Sequence, residues 1–289
     1  LKRPPSYLLK LYLKNTMLTL DVLIATHTPE GILRVADMNL PVVDGVRYIV
    51  SWQDHRDAEI PGALETRHDV TVDRFGQRGV SFNRNNAIEL STADVYLVAD
   101  DDLRYTSSQL EAVRRVFEEN PELDYASFMY EGTDKAYPTE ECRLGRRLPK
   151  GFYQTTFEVA VRRRGRAASL RFHPAFGPGS ISLHAAEDEM FLLTARRLKL
   201  NCRFFPIVIT RHEGMTTGRR KITEPGVLRA FGAFIYYCYP LTFIPRIPLK
   251  AWRLSKSGQS RFFTALREMM SGVAFAAEHV TPAWKEARR

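Results

Sequence analysis

Cysteine is scarce: Cys142, Cys202 and Cys238 are the only three in 289 residues, and they lie far apart without metal-ligand spacing. An odd count leaves one thiol over after any pairing, so a disulfide framework is not expected and a reducing cytoplasm is. Long apolar runs are also lacking. The stretch "SYLLKLYL" near the start is too short and too charged at its edges to span a bilayer, and a start at Leu1 leaves the native N-terminus open. No internal repeat and no low-complexity tract occur, which argues against solenoids and disorder. There is no Gly-rich, Lys-bearing phosphate loop, which counts against a nucleotidyltransferase acting on sugar phosphates. The positive charge is dispersed, not gathered into a basic stripe with interleaved aromatics, which counts against a nucleic-acid-binding protein. What is present is a folded composition, 44% hydrophobic and 11% aromatic, with a formal charge of +9 that invites an anionic partner.

From Leu20 onward, strand-like apolar runs alternate with amphipathic helical segments, the pattern of a sheet with crossover helices. "LDVLIAT" (20–26), "VRYIVSWQD" (46–54) and "DVTVDRF" (69–75) read as strands, and "GVSFNRNNAIELST" (79–92) carries a helix. Further on, "LDYASFMYE" (123–131) and "FYQTTFEVAVRRR" (152–164) read as strands, "FGPGS" (176–180) as a turn-rich loop, and "AEDEMFLLTARRLKL" (186–200) as a strong helix. "NCRFFPIVITRHEGMTTGRR" (201–220) gives a strand that ends at His212 in a Gly/Thr/Arg-rich loop.

The stretch "ADVYLVADDDLRY" (93–105) runs from a buried strand into three consecutive aspartates. Adjacent carboxylates repel unless a cation or hydrogen-bond donors compensate, and a divalent ion on a substrate phosphate is one such compensation. The plainer reading is a solvated acidic turn with Asp102 capping the helix of "TSSQLEAVRRVFEENP". Thr26, Asp54 and the triplet all fall at strand ends, where ligands of open α/β sheets bind, and that convergence favours a site. A second acidic group, Glu187, Asp188 and Glu189, crowds the first turn of a helix, where the helix dipole alone would favour it.

Taken in order, "VLIAT", "VSFNRNNAIELSTADVYLVADDD", "FGPGS" and "AEDEMFLLTARR" resemble a family-2 glycosyltransferase of the GT-A type, inverting and nucleotide-sugar-dependent, over about Leu20 to Arg220. The resemblance implies an α/β fold, a Rossmann-like mixed sheet flanked by helices, with a catalytic domain at 17–222 (sugar-donor half 17–105, acceptor half 106–222) and a C-terminal helical appendage at 223–289. It implies a DXD-type motif in which Asp102 binds Mn²⁺ or Mg²⁺, Asp100 holds the donor ribose or the metal, and Asp101 tunes the field. Asp54 becomes the base-reading carboxylate, although the family's paired acids are replaced here by "SWQDHRD". Thr26 is placed on the nucleotide, and Arg84 on a carboxylate of the motif or a phosphate. Asp188 becomes the general base, with Glu187 as its competitor. His212 is placed on the metal or the diphosphate, and Gly179 and Arg219, with Thr216, Thr217 and Gly218, in loops over donor and acceptor. The further Gln/Arg/Trp motif of processive synthases is missing, so one sugar is moved per reaction. The expected partners are a nucleotide sugar, a UDP-sugar first, and a glycan or lipid-linked acceptor of bacterial surface polysaccharide synthesis.

The tail "VLRAFGAFIYYCYPLTFIPRIPLKAWRLSK" (227–256) is uncharged and aromatic from Ala230 to Pro245, and Arg246, Lys250, Arg253 and Lys256 follow. Pro240 and Pro245 break it before a membrane span is reached. Aromatics beside cations suit an anionic membrane surface on the cytoplasmic side, and equally a helical piece packed on the catalytic domain; one face can do each.

Overall fold

The structure is a computed structural model and describes residues 17–145, 147–212 and 223–280. Its first half is built on four parallel strands: β1 (Leu20–His27), β2 (Val46–Gln53), β3 (Val70–Phe75) and β4 (Val95–Asp100), in the order β3-β2-β1-β4. The runs of β1 and β4 are buried almost throughout because helices cover both faces. Those helices are α1 (Thr28–Asp37), the short α2 (Gly62–Glu65) and α3 (Val80–Leu90). The chain steps outward from β1 to β2 and β3, then returns to the other side of β1 with β4. This reversal opens a crevice above the carboxyl ends of β1 and β4.

β5 (Leu103–Arg104), α4 (Ser107–Glu119), β6 (Tyr125–Glu131) and the two-residue β7 (Cys142–Arg143) come next, followed by β8 (Val159–Arg162), α5 (Glu187–Arg197) and β9 (Cys202–His212). β8 runs antiparallel to both β4 and β6, so the nine-stranded sheet is mixed. β9 lies parallel to β6 and at its end pairs antiparallel with β5, Leu103 opposite His212. The helices flank the sheet as expected. Ile32 and Val35 of α1 and Leu110, Val113 and Phe117 of α4 pack on one face. Ala87 and Ile88 of α3 and Phe191, Leu192 and Ala195 of α5 pack on the other.

Two local readings change. Asp102 caps no helix: α4 starts on Thr106, whose hydroxyl accepts from the Gln109 amide while the Gln109 side chain accepts from the Thr106 amide. The strand expected over 152–164 begins only at Val159, because Thr155 and Glu158 close a capping box around a 3₁₀ turn, Thr156–Glu158.

The chain ends, within the described residues, in α6 (Pro225–Cys238), α7 (Phe243–Lys256) and α8 (Phe262–His279). α6 and α8 touch at glycines: a Cβ on Gly232 would fall 1.9 Å from the Met269 carbonyl oxygen, and one on Gly272 would fall 2.0 Å from that of Arg229. Leu228, Ile247, Leu254 and Met269 give the three helices a small core of their own. A second cluster joins Ala230, Ala233, Tyr237 and Ala276 of the appendage to Phe176, Leu183, Ala186 and Met190. Fully burying one larger apolar side chain contributes ~1.5–3 kcal/mol, so these helices are a packed part of the fold.

Candidate active site

The three aspartates at the end of β4 diverge, and each meets a different partner. Asp100 accepts from Arg84 Nη2 of α3 at 2.7 Å. Asp101 accepts from Arg34 Nε and Nη2 of α1 at 3.2 and 2.8 Å, and from the Thr26 hydroxyl. Asp102 Oδ2 lies 3.1 Å from His212 Nε2 at the end of β9. The repulsion that made the triplet conspicuous is thus relieved from three sides.

The partners sort the expected site residues. Thr26 and Asp101 hold each other and, with Arg34, tie β1, α1 and the triplet together at the crevice floor. Asp102 keeps 51% of its side chain exposed, whereas His212 is buried, stacked on Phe157 with ring centroids 5.6 Å apart and edge-on to Tyr130. Burial pushes the Asp102 carboxyl up, but the His212 hydrogen bond and charge outweigh this and hold it below the usual carboxylate range. Asp54 stands at the end of β2 with φ of 48°, half-exposed and paired with Arg56 at 2.9 Å. It lies at the strand end where it was expected, with its carboxylate committed to a neighbour two residues away.

The second acidic group comes from α5, and Arg84 draws it to the first. The buried Arg84 guanidinium puts Nη1 3.7 Å from Glu187 Oε1 and 3.8 Å from Asp188 Oδ1. One cation therefore faces Asp100 from the β4 end and two acids from the start of α5. Burial opposes its charge, yet Asp100, Asp188 and Glu187 together hold its proton more tightly than usual. Desolvation pushes Glu187 up to about 7, against the pull of Arg84. Asp188 is likewise pushed well above the carboxylate range, by desolvation first and then by Glu187. A raised carboxyl in a cleft is the mark of a group that can exchange a proton near neutral pH.

Backbone geometry holds α5 in this place. Ala186 precedes the helix in the left-handed region, φ 70°, and is buried against the appendage. The "FGPGS" loop docks on the start of α3, where the Val80 amide donates to the Pro178 carbonyl at 3.0 Å. Gly179 has φ of 79° and packs so closely that a Cβ there would fall 3.0 Å from Gly79 Cα. Gly179 thus docks the loop on the start of α3, whereas Gly177, with φ of 100°, lies between α3 and the acidic helix, a Cβ there falling 2.7 Å from Val80 Cγ1 and 3.2 Å from Glu187 Cδ. Arg219, with Thr216, Thr217 and Gly218, lies outside the described residues.

Several residues at this site carried no strong signal in the sequence. Thr156 donates its hydroxyl to Asp188 Oδ1. Behind it, Lys135 and Glu158 form a buried ion pair at 2.5 Å. The pattern T-x-x-E at 155–158 is the one local clue, a capping-box signature inside a segment that otherwise reads as strand. Among the described residues no group of three or more His, Cys, Asp or Glu side chains forms a complete metal cage. The Asp102–His212 pair offers one carboxylate and one imidazole beside the open crevice. That set suits a divalent ion whose other ligands are phosphate oxygens and water.

Residues 51–173 match the profile described as Glycosyl transferase family 2. No curated protein matches in sequence. Among solved structures, Staphylococcus aureus TarS residues 1–349 in complex with UDP-GlcNAc superposes with a TM-score of 0.58 at 15% identity, over 94% of this chain and 87% of that one. The longer S. aureus TarS structure gives 0.53 at 14% identity over 76% of this chain, which spans only 40% of its length. A mannosyltransferase from Pyrobaculum calidifontis in complex with GDP-Man and Mn²⁺ gives 0.49 at 15% identity, over 95% and 80% of the two chains. The sheet and its helices are those of the GT-A fold.

Proposed function

We propose that this chain, a family-2 glycosyltransferase, moves one sugar from a nucleotide sugar to a hydroxyl of a glycan or lipid-linked acceptor, with inversion and with the help of Mn²⁺ or Mg²⁺. The observation that carries the reading is Arg84, which sets Asp100 of the sugar-donor side against Glu187 and Asp188 of the acceptor side across one guanidinium. In an inverting displacement the acceptor oxygen bonds to the anomeric carbon as the bond to the diphosphate breaks. The proton leaves the acceptor hydroxyl for a base on the opposite face. Asp188 takes that role; desolvation and the neighbouring Glu187 raise its proton affinity above that of an ordinary carboxylate, which makes it the stronger proton acceptor. Asp102 and His212 would hold the divalent ion, which supplies charge neutralisation at the diphosphate. Asp100 lies on the ribose or metal side, Asp54 faces the base, and the Thr26–Asp101–Arg34 link fixes the crevice floor.

A UDP-sugar is the first candidate donor, since TarS, a fold neighbour, binds UDP-GlcNAc. The test is a melting-temperature screen of UDP, GDP and their sugars with and without Mn²⁺. One nucleotide should stabilise the protein with Mn²⁺ present, by about 2.7 kcal/mol at a hundredfold excess over Kd. Asp102→Asn should lose the Mn²⁺-dependent part and keep its fold. If no nucleotide moves the transition, or if the variant responds like wild type, the assignment fails.

The appendage supports a lipid-linked acceptor at an anionic cytoplasmic surface, within a bacterial polysaccharide or glycolipid pathway. None of the described helices is long and apolar enough to cross a membrane. The inner stripe of α7, Ile247, Ala251 and Leu254, is buried, while Leu241 just before the helix is 96% exposed, Ile244 72% and Trp252 51%. Arg246 lies over the Tyr239 ring and Lys256 over Trp252, at 3.9 and 5.3 Å. Apolar and aromatic groups laced with cations suit the headgroup layer. Replacing Arg246, Arg253 and Lys256 by Gln should lower binding to vesicles containing anionic phosphatidylglycerol by about a hundredfold at low salt, at ~1 kcal/mol for each charge. Unchanged sedimentation with vesicles would leave α7 as a packing helix only.

A further inference from the structure

Glu158 is fully buried and is held by four donors: Lys135 Nζ at 2.5 Å, the Tyr137 hydroxyl, and the Thr155 amide and hydroxyl at 2.6 and 2.8 Å. The Lys135 ammonium lies 4.4 Å from the Tyr153 ring centroid and 5.0 Å from that of Tyr137. Burial lowers the proton affinity of Lys135, and Glu158 opposes that effect. Replacing a buried ion pair by apolar residues is often neutral or stabilising, so stability alone is a poor account of this one. What apolar residues would not supply is the grip on Thr155, which closes the 3₁₀ turn Thr156–Glu158.

That turn faces the site twice. Phe157 stacks on His212, and Thr156 donates to Asp188 Oδ1. We propose that Thr156 is a positioning residue: its hydroxyl, set by the turn that Lys135 and Glu158 clamp, fixes the direction of the Asp188 carboxylate and leaves Oδ2 toward the acceptor hydroxyl. This rests on the assignment of Asp188 as base. Asp188 is surrounded by Arg84 from α3, Asp100 from β4, Glu187 and Glu189 from its own helix, Tyr125 from β6 and Lys135, while Gln154 donates to its carbonyl. Among these the Thr156 hydroxyl is the neutral donor bonded to the carboxylate. A donor to the carboxylate favours the charged form, so its removal raises the proton affinity of Asp188.

The experiment titrates the Asp188 side chain by carbon NMR in the ligand-free full chain, with Asp188→Asn to assign the resonance. Thr156→Val, which keeps the shape of the side chain, should raise the midpoint by ~0.5–1 pH unit, the worth of one hydrogen bond. Thr156→Ser should restore it. Thr156→Ala serves as the second hydroxyl-free variant, with the same expected rise, if Val disturbs folding. A midpoint in the hydroxyl-free variants that stays with wild type, or a Ser variant that shifts as far as Val, overturns the proposal. The readout needs no substrate. Failure of the base assignment, seen as normal transfer by Asp188→Asn, is therefore distinguished from failure of the positioning role.

Discussion

Asp188→Asn is expected to lower sugar transfer by ~10²–10⁴-fold while nucleotide and metal binding stay close to wild type. The substitution removes the proton acceptor but keeps the size of the side chain and an oxygen for the Thr156 hydroxyl. Arg84 keeps Asp100 at 2.7 Å and Glu187 at 3.7 Å, so the sugar-donor side is undisturbed. Glu187→Gln and Glu189→Gln must be measured beside it, since the three acids are consecutive at the start of α5. A normal rate for Asp188→Asn with a dead Glu187→Gln would move the base by one residue. Normal rates for all three would make the cluster a helix start favoured by its dipole and nothing more.

Arg84→Met is expected to destabilise the fold by about 3–5 kcal/mol above neutral pH, the range for removing one partner of a buried ion pair. The variant leaves Asp100, Glu187 and Asp188 facing one another without their cation, and nucleotide binding should fall with the stability. The pH dependence gives a sharper test. Glu187 is raised from 4.5 to about 7 in the folded chain, so its contribution to stability is fullest below the unfolded value and is lost as pH rises toward 7. Without Arg84 the acids hold their protons to still higher pH. The deficit of Arg84→Met should therefore shrink between pH 8 and 5.5, and adding Glu187→Gln should recover part of it at pH 8. Equal losses of melting temperature at both pH values would mean that Arg84 supports the fold through its packing on the Phe172 ring, not through charge.

What the sequence made legible follows the distances over which chemistry is written along the chain. The Asp100–Asp102 triplet and the Glu187–Glu189 group are contiguous, and strand ends could be placed from apolar runs, so both halves of the crevice could be found. The link between them is not local: Arg84 and Glu187 are about a hundred residues apart, and a helix arginine looks the same whether solvated or buried. Lys135 belongs to no pattern, and Glu158 only to the T-x-x-E capping box, which says nothing of the buried ion pair the two form. The 152–164 segment misled because FYQTTFEVAVRRR carries enough β-branched and aromatic residues to read as one strand, and the capping box that overrides them takes only Thr155 and Glu158. In the tail, Pro240 correctly signalled an interruption. The contact of α6 with α8 at Gly232 and Gly272 joins two segments that no periodicity relates.

The reversed direction of β8 has a bearing on how such an enzyme diversifies. β6 runs parallel to β4, so it ends at the crevice rim, and β8, antiparallel to both, begins at that same rim. The connection between them, residues 132–158, therefore departs from the rim and comes back to it, and among its described residues Cys142 and Arg143 pair with the start of β9, at the far end of the sheet. Thr156 and Lys135 lie at its two ends. On the proposed function, exchanges in this excursion on either side of Cys142 and Arg143 would reshape what overhangs the crevice while leaving the pairing with β9 and the acids at the end of β4 in place. Acceptor preference would, on that function, drift by such loop replacement while the clamped turn at its return keeps Thr156 on Asp188.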